Sequence, residues 1–316
     1  MMCRPQNLMY RPDVDPIGDV LALVRPEAML GAELQAHGRW RLTFEGRPDD
    51  VKFGFVVQGE CLLRVRRRTT SLRAGDVFLL AGPAAYVLAS DLSAPARSGA
   101  DLLHGPGVAR LGSKREMPFA HVVGGRFVLD AFNAPLLVKA LPEVVRIPAA
   151  EAVALRAVTQ LLVDEVRAAL PGRGRALDQL TQLLLTYAIR WLDRDATRTG
   201  WIRALADPRI GAALGAIHAT VSAGTSLADL ARVAGMSRTS FVVRFKELVG
   251  APPLTYAIRW RMWLARDALR STKRAIGELA FELGYESESA FSTAFRREIG
   301  CSPRAYRQAA PSSAGR

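Results

Sequence analysis

The stretch LADLARVAGMSRTSFVVRFKELVGAPPLTY at 227–256 returns in related form as IGELAFELGYESESAFSTAFRREIGCSPRAY at 276–306. The first part of each copy aligns with an offset of 49 positions, and the rest aligns with an offset of 50 after one inserted residue. Self-similarity of this kind indicates a repeated structural unit. The matched pairs are Leu227 and Ile276, Leu230 and Leu279, Ala231 and Ala280, Gly235 and Gly284, Phe241 and Phe291, Phe245 and Phe295, Gly250 and Gly300, Pro253 and Pro303, and Tyr256 and Tyr306.

Each copy has the layout of a helix-turn-helix unit. A short apolar helix ends at a glycine, Gly235 or Gly284, because glycine adopts the positive φ that turns the chain. A serine, Ser237 or Ser287, then suits the N-cap of the second helix. A single copy fits ordinary helical packing as well as DNA binding, but two copies at this spacing favour second helices that enter the DNA major groove.

The segment between the copies, LTYAIRWRMWLARDAL at 254–269, reads as one continuous helix. Sixteen residues rise about 24 Å. Such a rod sets the two second helices on one face of DNA, in grooves about 34 Å apart. Its arginines either reach phosphates or form a solvated face, and they are Arg259, Arg261, Arg266 and Arg270.

Composition favours a polyanion partner. The 316 residues carry 43 Lys or Arg and 30 Asp or Glu, a formal net charge of +13, and residues 205–316 alone hold 16 and 9. Such a balance favours nucleic acid first and an acidic membrane second. The three cysteines lie far apart in the sequence, which indicates a reducing compartment. The chain shows neither a long apolar run nor a secretory signal, so we expect a soluble cytoplasmic protein. Its length predicts about two domains.

The first half of the chain has a different pattern. A helix-like stretch covers about 15–30, and short alternating apolar runs over 33–89 and 121–130 then predict strands of a sandwich or barrel. The segment 91–118 reads as loops with at most one strand. After Pro148 the period becomes helical over two segments. This helical pair either packs on the chain's own core or pairs with a second copy.

The repeat resembles the AraC/XylS family of bacterial transcription regulators, through LADLARVAGMSRTSFVVRFKELVG and ELAFELGYESESAFSTAFRREIGCSPRAYR at 278–307. The resemblance implies a seven-helix DNA-binding domain whose second helices contact bases with their outer faces. The matching base-contact positions are Thr239, Val242, Val243, Ser289, Ala290 and Thr293. The phosphate-contact candidates are Arg238, Arg244, Lys246, Arg296, Arg297 and Arg304.

These base-contact residues depart from the usual polar readers. Val242 and Val243 have no side-chain hydrogen-bonding group and contact only thymine methyls. Sequence reading is therefore expected to depend on methyl contacts, water and DNA shape.

The N-terminal half resembles the cupin-type sensor domain that precedes such DNA-binding domains, through FGFVVQGECLLRV at 53–65, LRAGDVFLLAGP at 72–83 and the segment 124–147. The expected fold class is α+β, with a cupin-like β-barrel and C-terminal helices followed by an all-α domain of two helix-turn-helix units. The expected divisions are a barrel over 1–148, a helical pair over 149–195, a linker over 196–204, a DNA-binding domain over 205–309 and a disordered tail over 310–316.

A metal-dependent cupin enzyme is not favoured. The histidines are His37, His104, His121 and His218, and none forms an HxH or Hx3–5H pair. Related sensor domains carry His where this chain has Gly54 and near Tyr86, and Cys where it has Gly124. We therefore expect no metal, no cofactor and no catalytic residue. A ligand pocket without metal is expected among the strand aromatics Trp40, Phe44, Phe53, Phe55, Phe78 and Tyr86.

The leading interpretation is a sequence-specific transcription regulator that reads two adjacent major grooves and is modulated through its N-terminal half. A cupin enzyme with an appended DNA-binding module, a DNA-repair protein and an architectural DNA binder are the alternatives. The expected partners are double-stranded DNA, RNA polymerase, an unidentified small-molecule effector and a second copy of the chain, with no membrane.

Overall fold

The structure is a computed structural model that describes residues 15–46, 50–82, 85–103, 107–130, 133–151, 153–168, 170–192, 200–222 and 226–309. The chain divides into two compact units. We call Val24–Trp191 the sheet unit, and Met1–Leu23 together with Leu192–Arg316 the helical unit. The tail predicted at 310–316, His104 and Cys3 lie outside the described residues.

The first helix, α1 (Pro16–Val24), belongs with the C-terminal helices. The sequence predicts helix to about residue 30, which is wrong beyond Val24. Arg25 has a left-handed φ of 46° and is followed by Pro26, and the residue before a proline is kept out of the helical region. The chain therefore leaves the helix there and enters a strand at Glu27.

The sheet unit is a curled sheet of ten strands within the described residues. They are β1 (Glu27–His37), β2 (Arg41–Phe44), β3 (Val51–Val65), β4 (Arg68–Arg73), β5 (Val77–Ala81), β6 (Tyr86–Ala89), β7 (Ala96–Ser98), β8 (Val108–Leu111), β9 (Phe119–Val128) and β10 (Val144–Ile147). The long strand β3 joins two parts of this sheet, because its first half pairs with β5 and β9 and its second half pairs with β4 and β6. The predicted barrel-like α+β fold is thus confirmed.

The segment 91–118, predicted as loops with at most one strand, contains β7, the short helix α2 (Gly99–Leu102) and β8. Both strands pair in parallel, β7 with β2 and β8 with β1. These strands are not evident in the sequence, because three or four residues give no clear alternation of apolar and polar side chains.

Three further helices complete the sheet unit: α3 (Ala134–Val138), α4 (Val153–Ala168) and α5 (Arg173–Leu192). The predicted helical pair is α4 and α5. Leu155, Val158 and Leu162 of α4 are buried, whereas Val153 and Leu161 of the same helix are exposed. Leu183 of α5 is exposed as well.

Eight helices follow in the described part of the helical unit. They are α6 (Trp201–Ala204), α7 (Pro208–Ala219), α8 (Leu227–Val233), α9 (Arg238–Val249), α10 (Pro253–Ser271), α11 (Ile276–Glu282), α12 (Glu288–Ile299) and α13 (Pro303–Ala309). Helix α6 occupies part of the predicted linker 196–204. Trp201, Ile202 and Ala204 are buried there, so these residues belong to the packed unit. None of the helices in the described ranges combines the length and apolar character that crossing a bilayer requires.

Candidate nucleic-acid interface

The two copies of the sequence repeat build the same aromatic cluster. In the first, the rings of Phe241 and Phe245 lie 5.5 Å apart at 64°, and those of Phe245 and Tyr256 lie 6.0 Å apart at 67°. In the second copy, Phe291 and Phe295 lie 5.7 Å apart, and the Phe295 and Tyr306 rings meet at 5.5 Å and 71°. Edge contacts of this kind hold aromatic pairs in defined geometry. Each cluster anchors its second helix, α9 or α12, in the same way.

The turn between the two helices of each unit is also repeated. Gly235 has φ 60° and Gly284 has φ 77°, as the sequence predicts. The residue after each glycine donates its backbone N–H to the carbonyl oxygen five positions back, Met236 to Ala231 and Tyr285 to Ala280, at 2.9 Å in both copies. This is the hydrogen bond of a Schellman helix end.

Caps delimit α9 and α12 at both ends. Ser237 accepts a hydrogen bond from the backbone N–H of Ser240, and Ser287 accepts one from Ala290. Gly250 and Gly300 end the helices with φ of 84° and 90°. Serine caps and left-handed glycines at the same positions make the second helices equal in length, twelve residues each.

The tyrosines that close the two clusters have different hydroxyl partners. Tyr256 pairs with Nε2 of His218 at 3.0 Å, whereas Tyr306 accepts from Nε of Arg266 at 3.2 Å. His218 also stacks on Trp260, with ring centroids 3.8 Å apart. Nδ1 of His218 meets a carboxylate oxygen of Asp19 in α1 at 3.1 Å.

Burial controls the protonation of this histidine. Loss of solvent lowers the pKa of His218 below its ordinary value, and the hydrogen bond and charge of Asp19 oppose that shift without reversing it. The neutral ring is therefore the favoured form inside the helical unit. Burial likewise raises the pKa of Tyr256.

The predicted base-contact residues lie on the outer faces of α9 and α12, with one exception. Thr239, Val243, Ser289, Ala290 and Thr293 are exposed. Val242 is half-buried. Ser240, which the sequence reasoning missed, is exposed in the first turn of α9. The 50-residue offset that matches Phe241 with Phe291 also matches Ser240 with Ala290, and this signal identifies it.

The predicted phosphate contacts differ in their surroundings, although all six are exposed. Arg244 donates from Nε and Nη2 to Asp207, at 3.2 and 3.0 Å, and Arg297 pairs with its neighbour Glu298 at 3.2 Å. The other four have no carboxylate within ion-pair distance in the described part of the chain, and they are Arg238, Lys246, Arg296 and Arg304.

Asp207 connects two helices of the helical unit, α7 and α9. Its carboxylate accepts from the backbone N–H groups of Arg209 and Ile210, which caps α7, and from Arg244 of α9. Partial burial raises the pKa of Asp207, but the hydrogen bonds from Ile210 and Arg244 outweigh it and hold the pKa below the usual value. Arg244 is therefore held by the fold before any DNA arrives.

The predicted connecting helix is α10, nineteen residues long and so about 28 Å. Tyr256, Trp260 and Met262 are among its buried residues. Two of its arginines lie over aromatic rings, with Arg261 at 5.8 Å from the Tyr285 centroid and Arg266 at 5.8 Å from that of Tyr306. These two serve internal packing, while Arg259 is exposed.

The aromatics predicted to line a ligand pocket lie in two groups. Trp40 and Phe78 are buried in the main core of the sheet unit, and Phe44 and Tyr86 pack against that core with their rings stacked 4.5 Å apart. Side chains alternate along a strand, so Phe53 and Phe55 lie on the opposite face of β3 from Val56 of that core. The ring of Phe53 instead contacts Phe127, at 4.9 Å.

The ring of Phe78 lies against Gly54, a position at which the sequence predicts no metal ligand. Gly54 and Gly124 are directly opposite each other in the β3–β9 pair. A β-carbon on Gly54 lies 2.4 Å from the Phe78 ring, so that ring fills the space that a side chain at Gly54 needs. The described residues hold no group of three or more His, Cys, Asp or Glu that suits a metal ion. The residues present at this position do not fit a metal.

Two other groups of interest in the sheet unit are buried. His121 Nε2 lies 2.6 Å from a carboxylate oxygen of Glu33, although the two are not aligned as a hydrogen bond. Burial lowers the pKa of His121, and the Glu33 charge opposes this shift. Burial, with the charges of Asp76 and Glu60, raises the pKa of the Cys61 thiol to about 12, which makes it a poor nucleophile.

Comparison with known proteins agrees with this architecture. Residues 15–193 match the family model described as Cupin, and residues 230–309 match that of a helix-turn-helix domain. A putative AraC-like transcription regulator of Streptomyces antibioticus is 37% identical over 93% of this chain and 99% of its own length. One of Streptomyces lividans is 36% identical over 93% and 98%.

Among solved structures, the DNA-binding domain of AdpA in complex with a target DNA is 29% identical, covering 35% of this chain and 93% of that one with a TM-score of 0.29. The two full-length relatives and the two family models carry the assignment. With its cupin-type N-terminal half and its duplicated helix-turn-helix unit, the chain belongs to the AraC-like transcription regulators, which bind DNA.

Proposed function

We propose that α9 and α12 enter two successive segments of the major groove on one face of an operator. The observation that supports this is the repeated aromatic cluster. It packs both helices in the same way, while the first turn of each helix stays exposed. The major groove admits one helix, and successive turns of DNA lie about 34 Å apart. Helix α10, about 28 Å long, is the spacer between the units.

The roles within each reading helix follow from exposure and pairing. Thr239, Ser240 and Val243 of α9, and Ser289, Ala290 and Thr293 of α12, face the bases. Arg238, Lys246, Arg296 and Arg304 contact phosphates, because they carry charge that no carboxylate of the described chain neutralises. Val242 takes no direct part, and Arg244 and Arg297 contribute less than the four unpaired cations.

The test starts from an operator selected out of random duplexes by the full chain. Thr293→Ala then changes preference at one base pair by about 1–3 kcal/mol if Thr293 makes a good contact. Arg296→Gln weakens all sequences alike and reduces the salt slope by about one unit. Unchanged binding in both variants places α12 outside the groove and overturns the proposal.

The sheet unit is proposed to receive a signal and to form homodimers. The exposed Val153, Leu161 and Leu183 of α4 and α5 support pairing of this helical pair with a second copy. The stacked Phe44 and Tyr86 beside Trp40 and Phe78 support an apolar or aromatic small molecule as effector. An effector acts only if it binds two states of the unit unequally. We further propose that the protein acts in the cytoplasm and that RNA polymerase is a partner.

Metal analysis of the purified full chain distinguishes the proposed regulator from the alternative, a cupin enzyme. We propose no enzymatic activity, which the Phe78 ring over Gly54 supports. Stoichiometric iron, zinc or manganese together with turnover contradicts this part of the proposal.

A further inference from the structure

The positive charge of the N-terminal half is concentrated in one hairpin. Residues 1–204 hold 27 Lys or Arg and 21 Asp or Glu, a net of +6. The hairpin, residues 60–73, holds five arginines and one acid, Glu60, which gives it a net charge of +4. The rest of this half is close to neutral. The five are Arg64, Arg66, Arg67, Arg68 and Arg73.

The hairpin presents two of these arginines at its tip. Strands β3 and β4 pair from Glu60 with Arg73 to Val65 with Arg68, which leaves Arg66 and Arg67 as a two-residue loop. Arg66 has a left-handed φ of 52°. Glycine, asparagine and aspartate adopt this conformation at lower cost and are favoured in such loops. The chain thus keeps an arginine where turn chemistry favours a smaller residue, and strain of this kind is typical of functional positions.

Most of these arginines have no acidic partner among the described residues. Arg66 pairs with Glu143, Nε to Oε1 at 2.8 Å. For the other four arginines, no carboxylate of the described residues lies within ion-pair distance. Arg67, Arg68 and Arg73 are exposed.

Protection of a sheet edge explains only part of the hairpin. Strand β4 pairs with β3 alone among the described strands, and charged side chains on such an edge prevent pairing with other chains. Arg68 and Arg73 lie on β4 and fit this role. Arg66 and Arg67 lie in the loop, where there is no strand edge to protect.

We propose that the β3–β4 hairpin binds the phosphate backbone of DNA that flanks the operator held by the same molecule. This inference rests on the proposed function of the helical unit. Arginine matches phosphate with two parallel N–H donors, and such contacts carry no sequence information. A second weak site on a chain already bound to DNA acts at high effective concentration, so two or three guanidinium contacts have a measurable effect.

The experiment measures how affinity depends on salt for the full chain on two duplexes, one trimmed to the operator and one extended on both sides. Arg67→Gln/Arg68→Gln is compared with the control Lys114→Gln/Arg115→Gln, which removes an adjacent exposed basic pair from another loop of the sheet unit. On the extended duplex, the hairpin variant loses about two units of slope in log K against log salt. The control keeps the wild-type slope, and both variants match wild type on the trimmed duplex.

Two further variants keep the test independent of folding. Arg67→Lys/Arg68→Lys retains the charge and is expected to retain the wild-type slope. Glu143→Gln releases Arg66 and is expected to steepen the slope on the extended duplex by up to about one unit. Equal slopes for wild type and Arg67→Gln/Arg68→Gln, or an equal loss in the control, overturn the proposal.

A membrane partner predicts a different outcome. If vesicles of phosphatidylglycerol and phosphatidylcholine bind wild type but not Arg67→Gln/Arg68→Gln, while the DNA slopes stay equal, the hairpin serves an anionic surface and the DNA proposal is wrong. Failure of the proposed function is distinct, because wild type then shows no preference for the operator over a scrambled duplex of the same length.

Discussion

Tyr256 and His218 meet at 3.0 Å in the interior of the helical unit, at the point where α10 begins. The equivalent tyrosine of the second repeat, Tyr306, meets Arg266 instead. The two helix-turn-helix units thus share their aromatic clusters but use different polar groups to anchor them. His218 further joins the first unit to α1 through Asp19.

The two tyrosine hydroxyls are expected to differ in their contribution to stability. Tyr256→Phe leaves a ring nitrogen of the buried His218 without its partner, which costs about 1–3 kcal/mol in the free energy of unfolding. Tyr306→Phe costs about 0.5–1.5 kcal/mol, because the half-buried Arg266 can turn to water. Urea unfolding of the two variants beside wild type measures both. Equal losses contradict the assigned environments.

Stability is expected to fall with acid because of His218. Its folded pKa lies below the ordinary value of 6.5, so below that pH the unfolded chain binds a proton that the folded chain does not. The contribution is fully present above pH 6.5 and is lost as pH falls from 6.5 through the lowered pKa of the folded state, by at most about 1.4 kcal/mol per pH unit.

Urea unfolding at pH 7, 6 and 5 tests this titration. His218→Gln removes the titrating ring and is expected to flatten the dependence. His121 contributes in the same direction in every variant, so the difference between His218→Gln and wild type is the informative quantity. An identical pH dependence in both proteins speaks against the assignment.

The two turn glycines form a matched pair. Alanine at either position adopts a positive φ, which costs about 1–2 kcal/mol. At Gly235 the added β-carbon meets nothing within 4 Å, whereas at Gly284 it lies 2.8 Å from the carbonyl oxygen of Val221. Gly284→Ala is therefore expected to destabilise more than Gly235→Ala, as thermal unfolding of the two proteins measures. The reverse order conflicts with the close backbone approach at Gly284.

Two arginines of the reading helices are expected to separate stability from DNA binding. Arg296→Gln leaves the folded state unchanged and reduces the salt slope of operator binding by about 0.9 units, because Arg296 has no acidic partner in the described chain. Arg244→Gln changes the slope less and lowers stability by roughly 0.2–1 kcal/mol, the range for exposed ion pairs, because Asp207 loses its partner. Salt titrations of operator binding and urea unfolding on the same preparations compare the two variants. Equal salt slopes in both variants contradict the inference that Asp207 already holds Arg244 in the free protein.

The repeat allowed the helical unit to be predicted from the sequence. Local preferences and apolar spacing, which act over one or two helical turns, determine its buried pairs, positive-φ glycines, serine caps and connecting helix. Pairing of side chains across helices is not encoded in that way. The sequence makes Arg244 a candidate phosphate contact, and it leaves Arg261 and Arg266 as either phosphate contacts or part of a solvated face. Tertiary neighbours engage all three.

What the sequence determined by itself was the fold class, the duplicated DNA-binding unit and the family, since period, turn chemistry and motif are carried by neighbouring residues. Only the tertiary structure decided that α1 groups with the C-terminal helices, that Phe78 fills the space over Gly54, and that Phe53 and Phe55 lie apart from the other aromatics. These depend on contacts between residues tens to hundreds of positions apart, which the curl of the sheet and the packing of helices bring together.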